Sequence, residues 1–191
     1  MALDTSTALV VGKVVSVGCI GIFAGQSLFY NAILMPALRR AHTDAALPVW
    51  ANSYQIAKGK LSSLTVLHTE IKKPRTHTAL SVIFHDISDL QVALVGASLL
   101  SGFGVYYKTE NIQHLIPPVL LATVVPFTFA FIMPINRELL DILNGTGKKN
   151  STVEHLLNRW DMLHFGRTVL SIAAFVLALY DTYSDNAAIR F

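Results

Sequence analysis

Two short stretches decide the fold: Met133-Pro134-Ile135-Asn136-Arg137, which ends one long apolar segment, and Arg159-Trp160-Asp161-Met162-Leu163-His164-Phe165-Gly166-Arg167, which begins another. Trp160, His164 and Arg167 stand at positions i, i+4 and i+7, so on a helix they share one face. An aromatic ring, an imidazole that titrates near neutrality and a fixed cation are costly where a helix enters hydrocarbon. The pattern therefore predicts a functional site at the start of this last helix.

The composition is that of an integral membrane protein. Of the 191 residues, 52% are hydrophobic and 14% are charged, whereas soluble domains carry about 25% charged residues. The formal net charge is +3, but the basic residues are scattered through the polar segments without forming a stripe, so we expect no nucleic-acid partner. Cys19 is the only cysteine, which excludes an internal disulfide and a cysteine metal cluster.

The hydropathy pattern predicts an all-α fold, a four-helix bundle in one membrane domain that spans residues 1–191. The predicted spans are about 8–38, 88–107, 115–135 and 162–180, since about 20 apolar residues cross a bilayer. The loops at about 39–87 and 136–161 carry eleven Lys and Arg residues, and the opposite side carries three. The excess of positive charge predicts that both loops are cytosolic. The first span is interpreted as an uncleaved signal anchor, because no basic region or cleavage site precedes it.

A faint internal repeat relates residues 32–39 to residues 130–137. Each stretch begins with Ala, contains a Met-Pro pair and ends in Arg. Each is followed by a Trp with an aromatic ring four residues on: Trp50 with Tyr54, and Trp160 with His164. One interpretation is a duplicated helical hairpin, whose two Met-Pro turns and two Trp motifs would converge on one pocket. Chance similarity between two apolar helix ends is the alternative.

Other polar and aromatic residues have two interpretations each. Gln26 lies in the middle of the first span and either forms an interhelical hydrogen bond or contacts a ligand. Residues 50–60 are predicted to form an interfacial helix, in which Trp50 and Tyr54 serve as aromatic anchors at the headgroups or face the pocket. Three histidines follow at spacings of nine and eight residues, and we interpret them as part of a solvated loop rather than a metal site: His68, His77 and His85.

The order of these motifs resembles the anthrone oxygenase family of small four-span membrane proteins. The resemblance lies in Met-Pro-Ile-Asn at 133–136, a loop, and Trp160-x-x-x-His164-x-x-Arg167 entering the last helix, and residues 35–38 are similar too. It covers most of the chain. It implies oxidation of the methylene carbon of a small aromatic polyketide, an anthrone, to an anthraquinone carbonyl in secondary metabolism. Molecular oxygen would be the co-substrate, with no metal or flavin cofactor, and we expect a membrane location in the endoplasmic reticulum.

The implied chemistry assigns roles to six residues. The methylene of an anthrone is acidified by the carbonyl and the flanking rings, so one base can produce a delocalised anion that reacts with oxygen. The predicted catalytic residues are His164 as the base, Arg167 to stabilise the developing negative oxygen, and Asn136 to donate a hydrogen bond to it. The predicted substrate-binding residues are Trp160, by stacking on the planar substrate, Tyr54 and Gln26.

Structural alternatives exist for the same residues. Trp160 could be a headgroup anchor, Arg167 could extend to lipid phosphate, Asn136 could cap the third helix, and His164 could be a packing residue. The competing class of function is a non-enzymatic membrane scaffold or assembly protein, and a third is a metalloenzyme that uses His164 with a loop histidine. The sequence has no nucleotide-binding loop, nucleophile triad or haem attachment motif.

The segment at about 61–90 interrupts the pattern, since its short apolar runs sustain neither a helical nor a strand period. Joining Lys60 near Gln91 would restore a family-like sequence. Our hypothesis is that the segment is an intron retained in the gene model, and the alternative is a genuine insertion. Sequencing the transcript decides between them: a message without the segment supports the retained intron, and its presence in every copy contradicts it.

Overall fold

The structure is a computed structural model that describes residues 4–40, 43–57, 89–146 and 151–188. These residues form helices and carry no strand. In chain order the elements are α1 (Thr5–Phe29), a π-helical turn (Tyr30–Leu34), α2 (Met35–Arg40), α3 (Thr43–Ala57), α4 (Asp89–Thr109), a 3-10 turn (Ile112–His114), α5 (Ile116–Ala122), α6 (Val124–Phe127), a second π-helical turn (Thr128–Ile132), α7 (Met133–Leu143) and α8 (Ser151–Ala188).

Four helical segments in the described part of the chain are long and apolar enough to cross a membrane: Thr5–Arg40, Leu90–Thr109, Ile112–Leu143 and Val153–Ser184. The predicted all-α, four-helix fold is therefore confirmed. The helices continue beyond the predicted spans, and α8 begins at Ser151, ahead of the predicted span at 162–180. Glu154 lies in the first turn of α8, where the positive end of the helix dipole favours a carboxylate.

The bundle is organised around α1, which packs along both α4 and α8, while α5 packs on α8. Close approach between α4 and α5 depends on Gly102, because an added Cβ would lie 2.7 Å from Cγ of Pro118 in α5 and 2.9 Å from the His114 carbonyl oxygen. Gly21 of α1 faces Phe175 of α8 in the same way, with 2.8 Å between an added Cβ and the ring. Gly12 of α1 lies equally close to Val105 of α4, whereas an added Cβ at Gly18 or Gly25 would meet no described atom within 4 Å.

Two cores divide the bundle along its length. One lies where α1, α4, α5, α6 and α8 meet, and it is built from aliphatic side chains and Phe23. The other lies where α2, α3 and α7 meet the first half of α8, and it is rich in aromatic rings. The aromatic core contains both Trp residues, so the helix ends that carry the two Trp motifs are packed together.

Both Met-Pro pairs follow directly on a π-helical turn. Pro36 and Pro134 have no N–H to donate to the carbonyl four residues earlier, which belongs to Ala32 in one case and Ala130 in the other. A π-helical turn is one way in which a helix accommodates such an interruption and continues. Equivalent positions of the repeat thus adopt the same unusual local structure, which supports the interpretation as a duplication.

Candidate active site

A cavity of about 90 Å³ lies inside the bundle beside the aromatic core. All four membrane-spanning segments and α3 contribute side chains to its wall. Most of these are apolar, and the complete lining is Phe23, Tyr30, Tyr54, Gln91, Val92, Val95, Val124, Val125, Thr128, Phe129, Ile132, Met133, Asn136, Trp160, His164 and Arg167.

Five of the six predicted site residues line this one cavity. Asn136 comes from α7, Tyr54 from α3, and Trp160, His164 and Arg167 from α8, where their spacing sets them on one helical face. Side chains separated by about a hundred residues in sequence are thereby brought to a single cavity. The prediction that the two hairpins converge on one pocket agrees with this geometry.

The aromatic residues of the two Trp motifs contact each other in the same arrangement. Trp160 stacks on His164 with 4.6 Å between ring centroids, and Trp50 stacks on Tyr54 with 5.3 Å. The two indoles then meet edge to face at 6.1 Å. Because Trp50 is fully buried and Trp160 is 3% exposed, neither lies at the headgroups, and the interpretation of either as a membrane anchor is wrong.

Asn136 is held by Trp160. Its Oδ1 accepts a hydrogen bond of 2.8 Å from the indole Nε1, and its Nδ2 lies 3.9 Å from the sulfur of Met133. Asn136 stands inside α7, which continues to Leu143, so it does not cap the helix. In the first copy of the repeat, Leu38 occupies the position that corresponds to Asn136. The buried Nε1 of Trp50, which corresponds to that of Trp160, has no hydrogen-bond partner among the described residues.

Arg167 is buried, with 6% of its surface exposed, and does not extend to the lipid surface. One of its terminal nitrogens, Nη2, donates a 2.7 Å hydrogen bond to Gln91 Oε1, and its Cζ lies 4.8 Å from the centroid of the Phe23 ring. Within the described ranges its buried Nε has no hydrogen-bond partner, and no carboxylate pairs with the guanidinium. Since an uncompensated buried charge is unfavourable by several kcal/mol, this corner of the cavity is suited to a negatively charged oxygen.

His164 is 2% exposed and is fixed on two sides. Trp160 covers a face of its ring, and its Nδ1 lies 3.2 Å from Oδ1 of Asn31 in the first π-helical turn. Tyr30 lies next to both rings, with its centroid 4.9 Å from that of His164. A rigidly held imidazole at the wall of an apolar cavity can act as a general base if its free nitrogen faces a substrate.

Gln26 does not line the cavity. Its Oε1 accepts a 3.1 Å hydrogen bond from Nε2 of Gln91, and Gln91 in turn accepts from Arg167. The interhelical hydrogen bond is therefore the interpretation that the structure supports, and the prediction that Gln26 contacts substrate is corrected. Gln26 thus contacts Gln91, which itself lines the cavity.

The family model described as Anthrone oxygenase matches residues 82–177, half of the chain. The chain belongs to the anthrone oxygenase family. The match includes α4, all of α7 and the motif from Trp160 to Arg167, whereas residues 35–38 of the first span lie outside it. Neither a curated protein nor a solved structure matches the chain.

Five residues that contact the candidate site of this anthrone oxygenase family member were not predicted: Tyr30, Asn31, Gln91, Asp161 and Thr168. The sequence could have indicated Asn31, because an amide side chain inside an apolar span needs a hydrogen-bond partner. Asp161 lies within the motif at 159–167, but its position between Trp160 and Met162 does not reveal which helix it faces. Gln91 directly follows the irregular segment at about 61–90, where no helical period indicates which way its side chain faces.

Potential metal ligands do not cluster in the described part of this family member. Residues 4–40, 43–57, 89–146 and 151–188 contain no group of three or more His, Cys, Asp and Glu side chains that could hold a metal ion. The loop histidines of the metalloenzyme alternative, and most of the segment proposed to be an intron, lie outside the described residues: His68, His77 and His85, and 61–88.

Proposed function

We propose that this membrane protein oxidises the methylene carbon of a polyketide anthrone to the carbonyl of an anthraquinone, with O2 as co-substrate and without metal or flavin. The observation that carries the proposal is the pairing of His164 with Arg167 on one buried cavity, where the guanidinium has no carboxylate partner in the described ranges. A base next to an uncompensated cation suits a neutral carbon acid that becomes an anion when it loses a proton.

The proposed reaction balances without an external reductant. The base removes one methylene proton, and the resulting carbanion transfers an electron to O2 and combines with the reduced oxygen to form a hydroperoxide at that carbon. Loss of the second methylene proton and cleavage of the O–O bond then give the C=O group and water. The substrate supplies all the electrons, so one oxygen atom of O2 enters the product and the other leaves as water.

Each residue has a defined part in this proposal. His164 takes the first proton and returns it to the peroxide. Arg167 stabilises the negative charge on the anthrone oxygen, and Asn136, whose Oδ1 is engaged by Trp160, directs its amide Nδ2 as a donor to the same oxygen. Trp160 holds the imidazole by stacking in addition to lining the cavity, and Tyr54 forms part of the wall.

The size and lining of the cavity support an apolar aromatic substrate. Its volume of about 90 Å³ is below the range of about 300–1,000 Å³ for pockets that enclose a whole drug-sized ligand. The reacting edge of a tricyclic anthrone would therefore be enclosed, and the rest would extend past the part-exposed side chains of Val92 and Phe129. An apolar wall excludes water from the anion and strengthens its attraction to Arg167.

The location of the reaction is also part of the proposal. We propose the endoplasmic reticulum membrane, with the site near the cytosolic face, because the helix ends around the site border the segments rich in Lys and Arg. A substrate released by a polyketide synthase in the cytosol, and partly soluble in lipid, would reach such a site from the membrane surface.

The experiment is oxidation of emodin anthrone by the purified protein in nanodiscs under ¹⁸O2, with oxygen uptake and the mass of the quinone measured together. We expect uptake above the spontaneous rate, one O2 consumed per quinone, one ¹⁸O atom in the new carbonyl and no loss of activity with a chelator. Spontaneous-rate uptake by a folded protein, stoichiometric hydrogen peroxide, or a carbonyl labelled from water would contradict the proposal. Loss of activity to a chelator would instead favour a metalloenzyme.

A further inference from the structure

Asn31 connects the first span to the base of the candidate site. It lies in the first π-helical turn, and its side chain is within hydrogen-bond distance of three residues of α8. Its Nδ2 is 2.9 Å from Asp161 Oδ1 and 3.3 Å from the Asp161 carbonyl oxygen. Its Oδ1 is 2.5 Å from the hydroxyl of Thr168 and 3.2 Å from Nδ1 of His164.

These contacts determine which way the Asn31 amide faces. Asp161 also pairs with Arg39, and a carboxylate paired with a guanidinium accepts hydrogen bonds and does not donate them. Both Asp161 atoms near Asn31 are acceptors, and the amide nitrogen must face them. The reverse orientation would set the Asn31 oxygen against two other oxygens. The Asn31 Oδ1 is therefore the atom directed at Thr168 and His164.

The orientation of the amide determines the tautomer of His164. An amide oxygen has two lone pairs and can accept from both the Thr168 hydroxyl and an N–H of the imidazole. If Nδ1 were unprotonated, its lone pair would face the lone pairs of Asn31 Oδ1 at 3.2 Å. The contact is favourable only when Nδ1 carries the proton, which leaves Nε2 as the ring nitrogen with a free lone pair.

We propose that Asp161 and Asn31 are positioning residues that hold neutral His164 in the Nδ1–H tautomer, so that Nε2 is the atom that accepts the substrate proton. The catalytic consequence rests on the proposed function. Trp160 fixes the plane of the ring by stacking, and Asn31 fixes its rotation within that plane. The two hairpins then have separate tasks, because the second supplies the base and the first supplies the residue that orients it.

The direct test is nitrogen-15 NMR of protein labelled in histidine, reconstituted in nanodiscs at neutral pH, with His164→Gln used to assign the His164 signals. We expect the wild type to carry the proton on Nδ1, and Asn31→Leu to show a substantial Nε2–H population. Ser98→Ala, a buried polar residue that contacts none of these groups, should leave the His164 signals unchanged. A wild-type proton on Nε2, or a tautomer that Asn31→Leu does not alter, would overturn the proposal.

A second variant covers the case in which Asn31→Leu does not fold. The Asp161 side chain is 17% exposed, and Asp161→Ala removes the stronger of the two acceptors that orient Asn31. We expect it too to raise the Nε2–H fraction, and an unchanged tautomer would overturn the role of Asp161. Because Asn31 and Asp161 do not line the cavity, kcat for anthrone oxidation should fall about 10-fold or more while KM stays near the wild-type value.

The NMR result does not depend on turnover, which separates this inference from the proposed function. A wild type with Nδ1–H that fails to oxidise anthrones would contradict the function and support the positioning. A wild type that oxidises anthrones with the proton on Nε2 would support the function and overturn the positioning.

Discussion

Arg167 is kept out of water by neutral partners: an amide, an aromatic ring and the walls of the cavity. A guanidinium is usually buried with a carboxylate, because attraction between the two offsets part of the desolvation penalty. In the described part of this chain no carboxylate pairs with Arg167, and its guanidinium borders the cavity instead. The residue is therefore suited to stabilise a charge that appears during the reaction rather than one that is permanent.

Replacing Arg167 tests this role. We expect Arg167→Gln to lower kcat by about 100- to 1,000-fold, the typical cost of removing one group that stabilises an oxyanion. Arg167→Lys should retain part of the activity, since it keeps the charge but loses the fork of donors and the contact with Phe23. The matched control is Arg137→Gln on the exposed face of α7. Steady-state kinetics that show wild-type kcat for Arg167→Gln would contradict the role.

At this scale the helical spacing of Trp160, His164 and Arg167 was enough to predict a shared face, because 3.6 residues per turn is a local rule. Which residues face them from other helices is not local. Asn31 contacts His164 across 133 positions of sequence, and Gln91 contacts Arg167 across 76. Those pairs depend on how the spans pack, which a single sequence does not specify.

Helix α3 packs against the bundle through its buried tryptophan. Its helical character follows from the sequence, but the predicted position at the headgroups does not hold for Trp50, which is fully buried against Trp160 and Tyr54. The aromatic residues of a helix predict an interface only when nothing else covers them. Here the second Trp motif covers the first, and the repeat was the signal that could have revealed it.

Trp50→Ala measures the contribution of α3 to the bundle. We expect it to lower the free energy of unfolding by about 3–5 kcal/mol, as for other large aromatic side chains removed from a core, and Trp50→Phe to have a smaller effect. Thermal unfolding in detergent gives the comparison, with Tyr183→Ala as the control because Tyr183 is 74% exposed. Equal unfolding temperatures for Trp50→Ala and the control would show that α3 is not part of the core.

The two π-helical turns could not be predicted. The Met-Pro pairs suggested helix ends, because proline removes a hydrogen bond and usually breaks a helix. In the structure each helix continues past its proline, because the π-helical turn before it accommodates the missing backbone hydrogen bond. This places Asn136 inside α7, where its side chain reaches Trp160, instead of in a loop.

For the whole molecule, composition and hydropathy predicted the four spans because burying backbone in lipid requires long apolar helices. The side on which the site lies was predicted from loop charge alone, and it stays a prediction. The hypothesis of a retained intron also stays a prediction, although α4 begins at Asp89 and Gln91 contacts both Gln26 and Arg167. A spliced message would therefore have to keep Gln91.

Two glycosylation sequons test the topology. They begin at Asn144 and Asn150, between α7 and α8. If this loop is cytosolic, neither asparagine is modified, and treatment with an endoglycosidase should not change the mobility of protein made in microsomes. A variant with a spaced sequon appended after Phe191, on the predicted lumenal side, should be modified and serves as the positive control. Modification of Asn144 or Asn150 would reverse the orientation.

The most direct measurement is the rate of emodin anthrone oxidation by His164→Gln and by the wild type, at matched amounts of inserted, folded protein. Glutamine keeps much of the volume and polarity of the imidazole but cannot act as a base near neutral pH. If His164 removes the methylene proton, kcat should fall by about 100- to 10,000-fold. A variant that turns over at the wild-type rate would contradict the assignment of this cavity as the active site.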